Sequence, residues 1–319
     1  MDSRYRFAVD DDQAGERLDV FLSALFPERS RSYIQKLISS GMVLCGREDT
    51  ESTGTPYKQV SKAGTVIKDG EIYEISIPED IAIDVKPENI PLEILYEDDD
   101  LLIVNKPKGM VVHPAPGHYS GTLVNAVLNY CPDSLSGIGG VLRPGVVHRI
   151  DKDTTGSVMI CKNDRAHRSI SDLLSRHEID RVYHALVIGR MPEESGDIIA
   201  PIGRSPSDRK KMAVVREGQG KPAETHWKLI RYFPNDQISY VTCTLESGRT
   251  HQIRVHMSSI GHPVLGDEIY GGKSRKFTHL QGQCLHAMRL GFVHPITEER
   301  IEVDAPLPEY FSHLLVILS

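Results

Sequence analysis

Apolar positions in the first 77 residues recur with two periods. Leu18, Phe21, Leu22 and Leu25 stand at i, i+3, i+4 and i+7, which predicts one face of a helix, and Pro27 stops it. Ser32 followed by Gln35 has the spacing of a capping box. Ile34, Leu37 and Ile38 continue a second helix, and Gly41 ends it. Residues 42–45 predict a short strand. Residues 46–61 carry no apolar period and read as a loop or insertion. Residues 64–70 and 71–77 read as strands around a turn. Prolines 78, 87 and 91, set among charged residues, mark a connection, so two domains are expected, 1–86 and 87–319.

The pattern then changes. Residues 101–104 predict a buried strand, and residues 157–161 predict another strand. Residues 166–176 place Ile170, Leu173 and Leu174 at helical spacing. Residues 182–188 and 238–245 predict strands. Residues 250–260 predict a helix through Ile253, Met257 and Ile260, with Thr250 as N-cap and Gly261 as stop. Strands outnumber helices and do not alternate regularly with them. The expected fold class is therefore α+β: a small N-terminal helix-and-strand domain, then a larger one on a mixed, mainly antiparallel sheet with flanking helices.

At 319 residues with 39% hydrophobic and 25% charged content, the chain has ample material for two cores. No apolar run reaches the roughly 18 residues of a membrane span, and the start lacks a signal-peptide pattern. The five scattered cysteines include no CxxC pair, which fits a reducing cytoplasm. Net charge is −7, with −5 on residues 1–86 and −2 on 87–319. A site for a polyanion must then be a local patch. Residues 203–216 supply one, with Arg204, Arg209, Lys210, Lys211 and Arg216 against Asp208; a solvated loop would read the same way.

Three clusters could carry chemistry. His148-Arg-Ile-Asp-Lys-Asp-Thr-Thr-Gly156 lies between the apolar pair Val146-Val147 and a strand, so Asp151 reads as a rigidly placed nucleophile or base, or as a turn residue. Ser247-Gly-Arg-Thr-His-Gln-Ile-Arg254 opens a helix after a strand. Arg249 there suits an anion. Arg254, one turn in, would hold Asp151 as an anion if the two met, or else be a solvated helix residue. In the strand from Arg181, alternation puts Arg181, Tyr183 and Ala185 on one face; Tyr183 could stack on a base or simply pack. No HExxH, Walker, GxGxxG after a strand, or GxSxG pattern occurs.

These clusters resemble the RluA/RluD-type pseudouridine synthases. The resemblance rests on Arg143-Pro-Gly-Val-Val-His-Arg-Ile-Asp-Lys-Asp-Thr-Thr-Gly156, Arg181-Val-Tyr-His-Ala-Leu-Val187 and Gly248-Arg-Thr-His-Gln-Ile-Arg-Val-His256. Supporting matches are Asn105-Lys-Pro-Lys-Gly109, Val112-His-Pro114, Pro201-Ile-Gly-Arg204, Gly266-Asp267 and Leu285-His-Ala287. Ile150, Thr155 and Ser247 stand where Leu, Ser and Thr are usual, and none of these removes a side chain with a chemical role. The N-terminal unit is similar to the small RNA-binding domain of the ribosomal-protein-S-four type.

The resemblance implies isomerisation of uridine to pseudouridine in RNA without cofactor or metal. Large-subunit ribosomal RNA or an assembly intermediate would be the partner, with transfer RNA as an alternative substrate. It implies Asp151 as catalytic aspartate, Tyr183 as the residue stacking on the target base, and Arg254 as partner of the aspartate. Arg149 would enter the space left by a flipped nucleotide, and His148, Arg249, Arg204 and Lys210 would contact RNA. Arg29, Arg31 and Lys36 of the N-terminal unit would meet phosphates. A monomer is expected, since no coiled-coil heptad is evident. A non-catalytic RNA-binding protein on the same fold, or an unrelated carboxylate enzyme such as a glycosidase, are the competing readings.

Overall fold

The computed structural model describes residues 3–27, 29, 31–47, 57–77, 85–115, 117–132, 134–138, 140, 142–208, 211–272, 274 and 276–319. It divides into two compact units, Met1–Ala82 and Ile83–Ser319.

The first unit contains β1 (Ser3–Ala8), α1 (Leu18–Leu25), α2 (Arg31–Ser39), β2 (Val43–Arg47), β3 (Lys58–Gln59) and β4 (Glu71–Ile77). Its antiparallel sheet runs β1-β4-β2-β3. Leu18, Phe21 and Leu22 pack with Ile34, Leu37 and Ile38 against Val43, Tyr73 and Ile75, so the helical stripes meet one sheet face. Three expectations fail here. Residues 64–70 form no strand, only a bridge from Val66 to Arg17. Residues 46–61 are not all loop, because Lys58–Gln59 pairs with β2; residues 48–56 lie outside the described residues. The Ser32/Gln35 capping box is absent as such: the helix already includes Arg31, and Gln35 Nε2 donates to Asp19 at 2.6 Å. Asp19 is fully buried and also receives Arg17 (3.0 Å) and Arg31 (2.9 Å). The Arg17 bond above all, against the opposing effect of burial, holds its carboxyl well below the usual range.

The second unit contains β5 (Ile94–Glu97), β6 (Leu101–Lys106), α3 (Leu123–Tyr130), β7 (Thr155–Cys161), α4 (Asp164–Ser175), β8 (Asp180–Ile188), β9 (Ser195–Ile199), β10 (Ile202–Arg204), β11 (Met212–Val214), β12 (Glu224–Phe233), β13 (Ile238–Leu245), α5 (Gln252–Ser259), β14 (Leu285–Val293), β15 (Arg300–Asp304) and α6 (Glu309–Leu318). The main sheet runs β5-β6-β7-β14-β8-β13-β12-β9, with β15 on β14. It is antiparallel except where β14 meets β7. Both faces are covered, which explains the continuous apolar runs. Leu102, Val104, Val158 and Ile160 point to one face with α3 and α5. Leu101, Ile103, Met159 and Cys161 point to the other, with α4. The parallel β7–β14 step demands glycine at 156. Its φ is +109°, and a Cβ there would stand 2.2 Å from Ala287 O. The mixed, mainly antiparallel α+β reading holds. No helix among the described residues is long and apolar enough to cross a membrane.

Candidate active site

Residues 148–154 connect a short bridge to β7. Val146 pairs with Ile160 as an isolated bridge, so the apolar pair Val146-Val147 forms no strand on that side. The loop is pinned instead by side chains. Ile150 is buried in the core beneath it. His148 Nε2 accepts the Met159 N–H at 2.9 Å, and Gln283 Nε2 donates to Thr154 Oγ1 at 3.0 Å. Lys106, with no exposed surface, donates from Nζ to the carbonyls of Pro107 (2.9 Å), Met110 (2.8 Å) and Lys152 (3.0 Å). The Gly109 N–H also reaches Lys152 O, at 3.0 Å. The Asn105-Lys-Pro-Lys-Gly109 turn is thereby clamped to the carbonyl of Lys152, the residue that follows Asp151. Burial pushes the Lys106 ammonium down to about 7, opposed by the charges of Asp153 and Asp151.

Helix α5 begins at Gln252, two residues later than expected. Its N-cap is His251, not Thr250, and His251 takes a left-handed φ of +58°. Such a conformation costs a non-glycine residue about 1–3 kcal/mol. Tertiary bonds hold it. Gln252 Oε1 accepts the Arg249 N–H (2.9 Å) and Ser247 Oγ (2.8 Å), and its Nε2 donates to Glu224 O (2.8 Å). The helix is short and its first six residues are all buried, Ile253 and Met257 against the sheet and Val255 against Ile202 and Ala223. Arg254 is therefore no solvated residue. Its Nη1 donates to Asp151 Oδ2 at 2.8 Å, while Nε and Nη2 donate to Asp267 at 2.7 and 3.0 Å. Burial alone would lower the guanidinium pKa, but Asp267 and Asp151 together raise it. Asp267 Oδ1 also accepts the N–H groups of Ile269 and Tyr270, and the Tyr270 ring lies 5.1 Å from the guanidinium. Tyr270 Oη accepts the Met212 N–H (3.0 Å) and bonds His251 Nδ1 (2.7 Å), which sets His251 Nε2 3.8 Å from Asp151 Oδ1.

A cleft of about 590 Å³ opens over these groups. It is lined by Arg149, Arg181, Arg249, Arg254 and three histidines, and Asp151 is its one carboxylate. A chain of net charge −7 thus gathers four arginines at one cleft. Tyr183 lines it from β8, and burial pushes its phenol up to about 12. Arg149 is exposed, with no ion-pair partner among the described residues. Burial, then the charge of Arg181, brings the His148 imidazole down to about 4, so the ring is neutral at pH 7. Arg249 lines the cleft with its Nε on Pro222 O at 2.9 Å. Arg204 ends β10 and does not line the cleft. Lys210 and Arg209 lie outside the described residues.

The structure thus brings Asp151, Tyr183, Arg254, Arg149, His148 and Arg249 to one cleft from segments up to about a hundred residues apart. Sequence reasoning gave no role to Asp267, Lys106, His251 or Tyr270. The quoted pairs Gly266-Asp267 and Asn105-Lys106 were the signal available. For a metal, among the described residues one cluster comes near, Asp98, Asp100 and His294, away from the cleft. His294 Nδ1 accepts the Ile296 and Thr297 N–H groups, so its proton sits on Nε2 facing Asp98 Oδ2 at 3.0 Å. Nε2 touches Asp98 without hydrogen-bond geometry, and a ring nitrogen that carries the proton has no lone pair to give a metal.

The family described as RNA pseudouridylate synthase matches residues 100–259, and the S4 domain matches residues 16–48. The chain is 45% identical over 315 residues to a protein of Zymomonas mobilis named ribosomal large subunit pseudouridine synthase D, covering 97% of this chain and 95% of that one. It is 46% identical over 305 residues to an uncharacterized RNA pseudouridine synthase of Bacillus subtilis, covering 96% and 95%. The structure of human RNA pseudouridylate synthase domain containing 1 superposes with a TM-score of 0.55 at 25% identity, covering 76% of this chain and 97% of that one. With the family match across the segment that holds Asp151, Tyr183 and Arg254, and relatives aligned over nearly their whole length, the chain belongs to the RNA pseudouridine synthase family.

Proposed function

We propose that this chain isomerises uridines in large-subunit ribosomal RNA, with Asp151 as the reacting carboxylate. The observation that supports this best is one carboxylate, held at Oδ2 by Arg254, as the sole acid of a cleft lined by cations. The reaction breaks the bond from C1′ to N1, turns the uracil, and joins C1′ to C5, while the C5 proton leaves and N1 gains one. No atom is gained overall, so no cofactor or energy source is called for. A fixed, ionised carboxylate suits attack on, or stabilisation of, an electron-poor sugar carbon. Tyr183 would stack on the uracil, and Arg149 would fill the gap left when the nucleotide is extruded. Arg254 would act on Asp151 and not on the substrate.

The ribosomal substrate is supported by relatives named ribosomal large subunit pseudouridine synthase D at 38–45% identity, matched along most of their length. The N-terminal unit would dock the RNA. Phosphates would meet Arg29, Arg31 and Lys36 there, Arg31 also holding Asp19. The protein would work in the cytoplasm as a monomer, on ribosomal RNA or an assembly intermediate.

The test is tritium release from ribosomal RNA labelled at C5 of uridine, comparing wild type with Asp151→Asn. Release by wild type alone, with RNA affinity kept in the variant, is expected. Release by both would remove Asp151 from the chemistry. Silence of the wild type on naked RNA, on subunits and on precursors would favour a non-catalytic RNA-binding protein.

A further inference from the structure

Three long cations are buried around the catalytic loop, and two of them are fully matched. Lys106 meets three carbonyls, and Arg254 meets two carboxylates. Arg181 is different. It is 7% exposed and lines the cleft from the start of β8, two residues before Tyr183 on the same strand face. Among the described residues its hydrogen bonds leave only from Nη2, to Leu245 O (3.3 Å) and Glu246 O (3.1 Å), both neutral acceptors. Nε is enclosed with no partner. Nη1 lies against Gly248, where a Cβ would stand 2.7 Å from it. Glu246, whose charge Arg181 feels, directs its carboxylate to His226 at 3.5 Å. Arg249 adds a second positive charge nearby, and burial is the largest force lowering the Arg181 pKa.

A buried guanidinium without an acid is costly, because the desolvation of the charge is not offset. An enclosed donor of this kind calls for a partner, and a bound anion is one that also supplies charge. We propose that Arg181 is the receptor for one phosphodiester of the RNA, the linkage adjoining the uridine that enters the cleft, so that the phosphate supplies the missing counter-charge. This rests on the RNA substrate proposed above. Residues two apart on a strand face are separated by about 7 Å. A phosphate at Arg181 with its own base at Tyr183 therefore fits one nucleotide, not two. The substrate would be gripped at phosphate and base while Asp151 addresses the sugar between them. Gly248 has a matching role: without a side chain it leaves the Nη1 edge open to the cleft.

The test uses the full chain and an RNA fragment that it turns over, made with one uncharged methylphosphonate linkage either 5′ or 3′ of the target uridine. Single-turnover rates against RNA concentration are measured for wild type, Arg181→Gln and Gly248→Ala. For wild type, one of the two linkages is expected to weaken RNA binding about 10- to 100-fold, the usual loss for a hydrogen bond to a charged group. Arg181→Gln should lose a similar factor on unmodified RNA and nothing more on that linkage. At the other linkage the losses should simply multiply. Gly248→Ala, which keeps the charge but displaces Nη1, should show the same linkage selectivity. Multiplying losses at both linkages would overturn the proposal. If Arg181→Gln does not fold, wild type and Gly248→Ala decide it: indifference of wild type to both linkages overturns it. Failure of the wild type to turn over any unmodified RNA would instead sink the functional reading itself.

Discussion

Asp151 and Asp267 share one guanidinium. Arg254 gives Nη1 to the first at 2.8 Å and its Nε–Nη2 edge to the second at 2.7 and 3.0 Å. Asp267 has no exposed surface, whereas Asp151 is 18% exposed. The buried acid anchors the arginine, and the arginine aims the acid that faces the cleft. A planar guanidinium does this as an ammonium cannot, since its two edges point in different fixed directions.

Asp267→Asn keeps the shape but removes the charge and one acceptor from the anchored edge. The expected result is a fall in kcat of about 10- to 100-fold with RNA affinity unchanged, because Arg254 is no longer held while the cleft cations remain. Stability should fall by about 3 kcal/mol, as for a buried pair broken on one side. Steady-state kinetics and urea unfolding read the two effects. An unaltered kcat in folded protein would mean that Asp151 does not depend on this anchor.

Lys106→Met removes the ammonium that joins residues 106–110 to Lys152 O. Three carbonyls lose a donor in a buried setting, so a loss of about 2–4 kcal/mol is expected. Turnover should drop more than binding, because the residue next to Lys152 is Asp151 and no RNA contact is removed. If kcat and stability both stayed at wild-type values, the clamp would have no part in placing the loop.

Arg149→Ala should separate two substrates. On a uridine stacked within folded RNA, kcat/KM is expected to fall about 10- to 100-fold, since extrusion costs a few kcal/mol that the arginine would offset. On an RNA whose target uridine is already unpaired and unstacked, the loss should be small. Equal losses on both would count against a flipping role and point to simple phosphate attraction.

Stability should depend on pH through the buried imidazoles, His251, His256 and His286 lowered by burial and three others shifted further. Burial first, then nearby cations, lowers His148, His113 and His184 to about 4. An unfolded imidazole takes its proton near 6.5, so between pH 6.5 and 4 the unfolded chain binds more protons. The contribution of these rings is thus fully present above pH 6.5 and lost as pH falls toward 4. His226 opposes them: its hydrogen bond to Asp197 raises its pKa, and its contribution is present below 6.5 and lost as pH rises. The unfolding free energy from urea titration should drop from pH 7 to pH 5, by ~2 kcal/mol per strongly shifted ring at most. His148→Gln, whose side-chain oxygen can still accept the Met159 N–H, should flatten that drop. An equal drop in the variant would show that His148 does not titrate in this way.

Local pattern was enough to read much of this protein. The stripe Leu18, Phe21, Leu22 predicted α1, the run at 101–104 predicted a buried strand, and residues 238–245 predicted β13, because burial imposes a pattern on the chain itself. The three quoted motifs also marked Asp151, Tyr183 and Arg254 before any contact was known. Elements with weaker periods escaped, among them β1, α3, β14 and α6.

Tertiary structure decided what the residues do to one another. Gln35 could not show from its spacing that it serves Asp19 and not a helix cap. Thr250 is a better cap by residue type than His251, yet the bonds made by Gln252 and Tyr270 place His251 at the left-handed position. The net charge of −7 hid a cleft of four arginines around one carboxylate. Sequence carries periodicity and residue type, which act over a few neighbours. Ion pairs such as Arg254 with Asp151, 103 residues apart, exist only because the sheet and α5 bring their backbones together, and no local pattern encodes that distance.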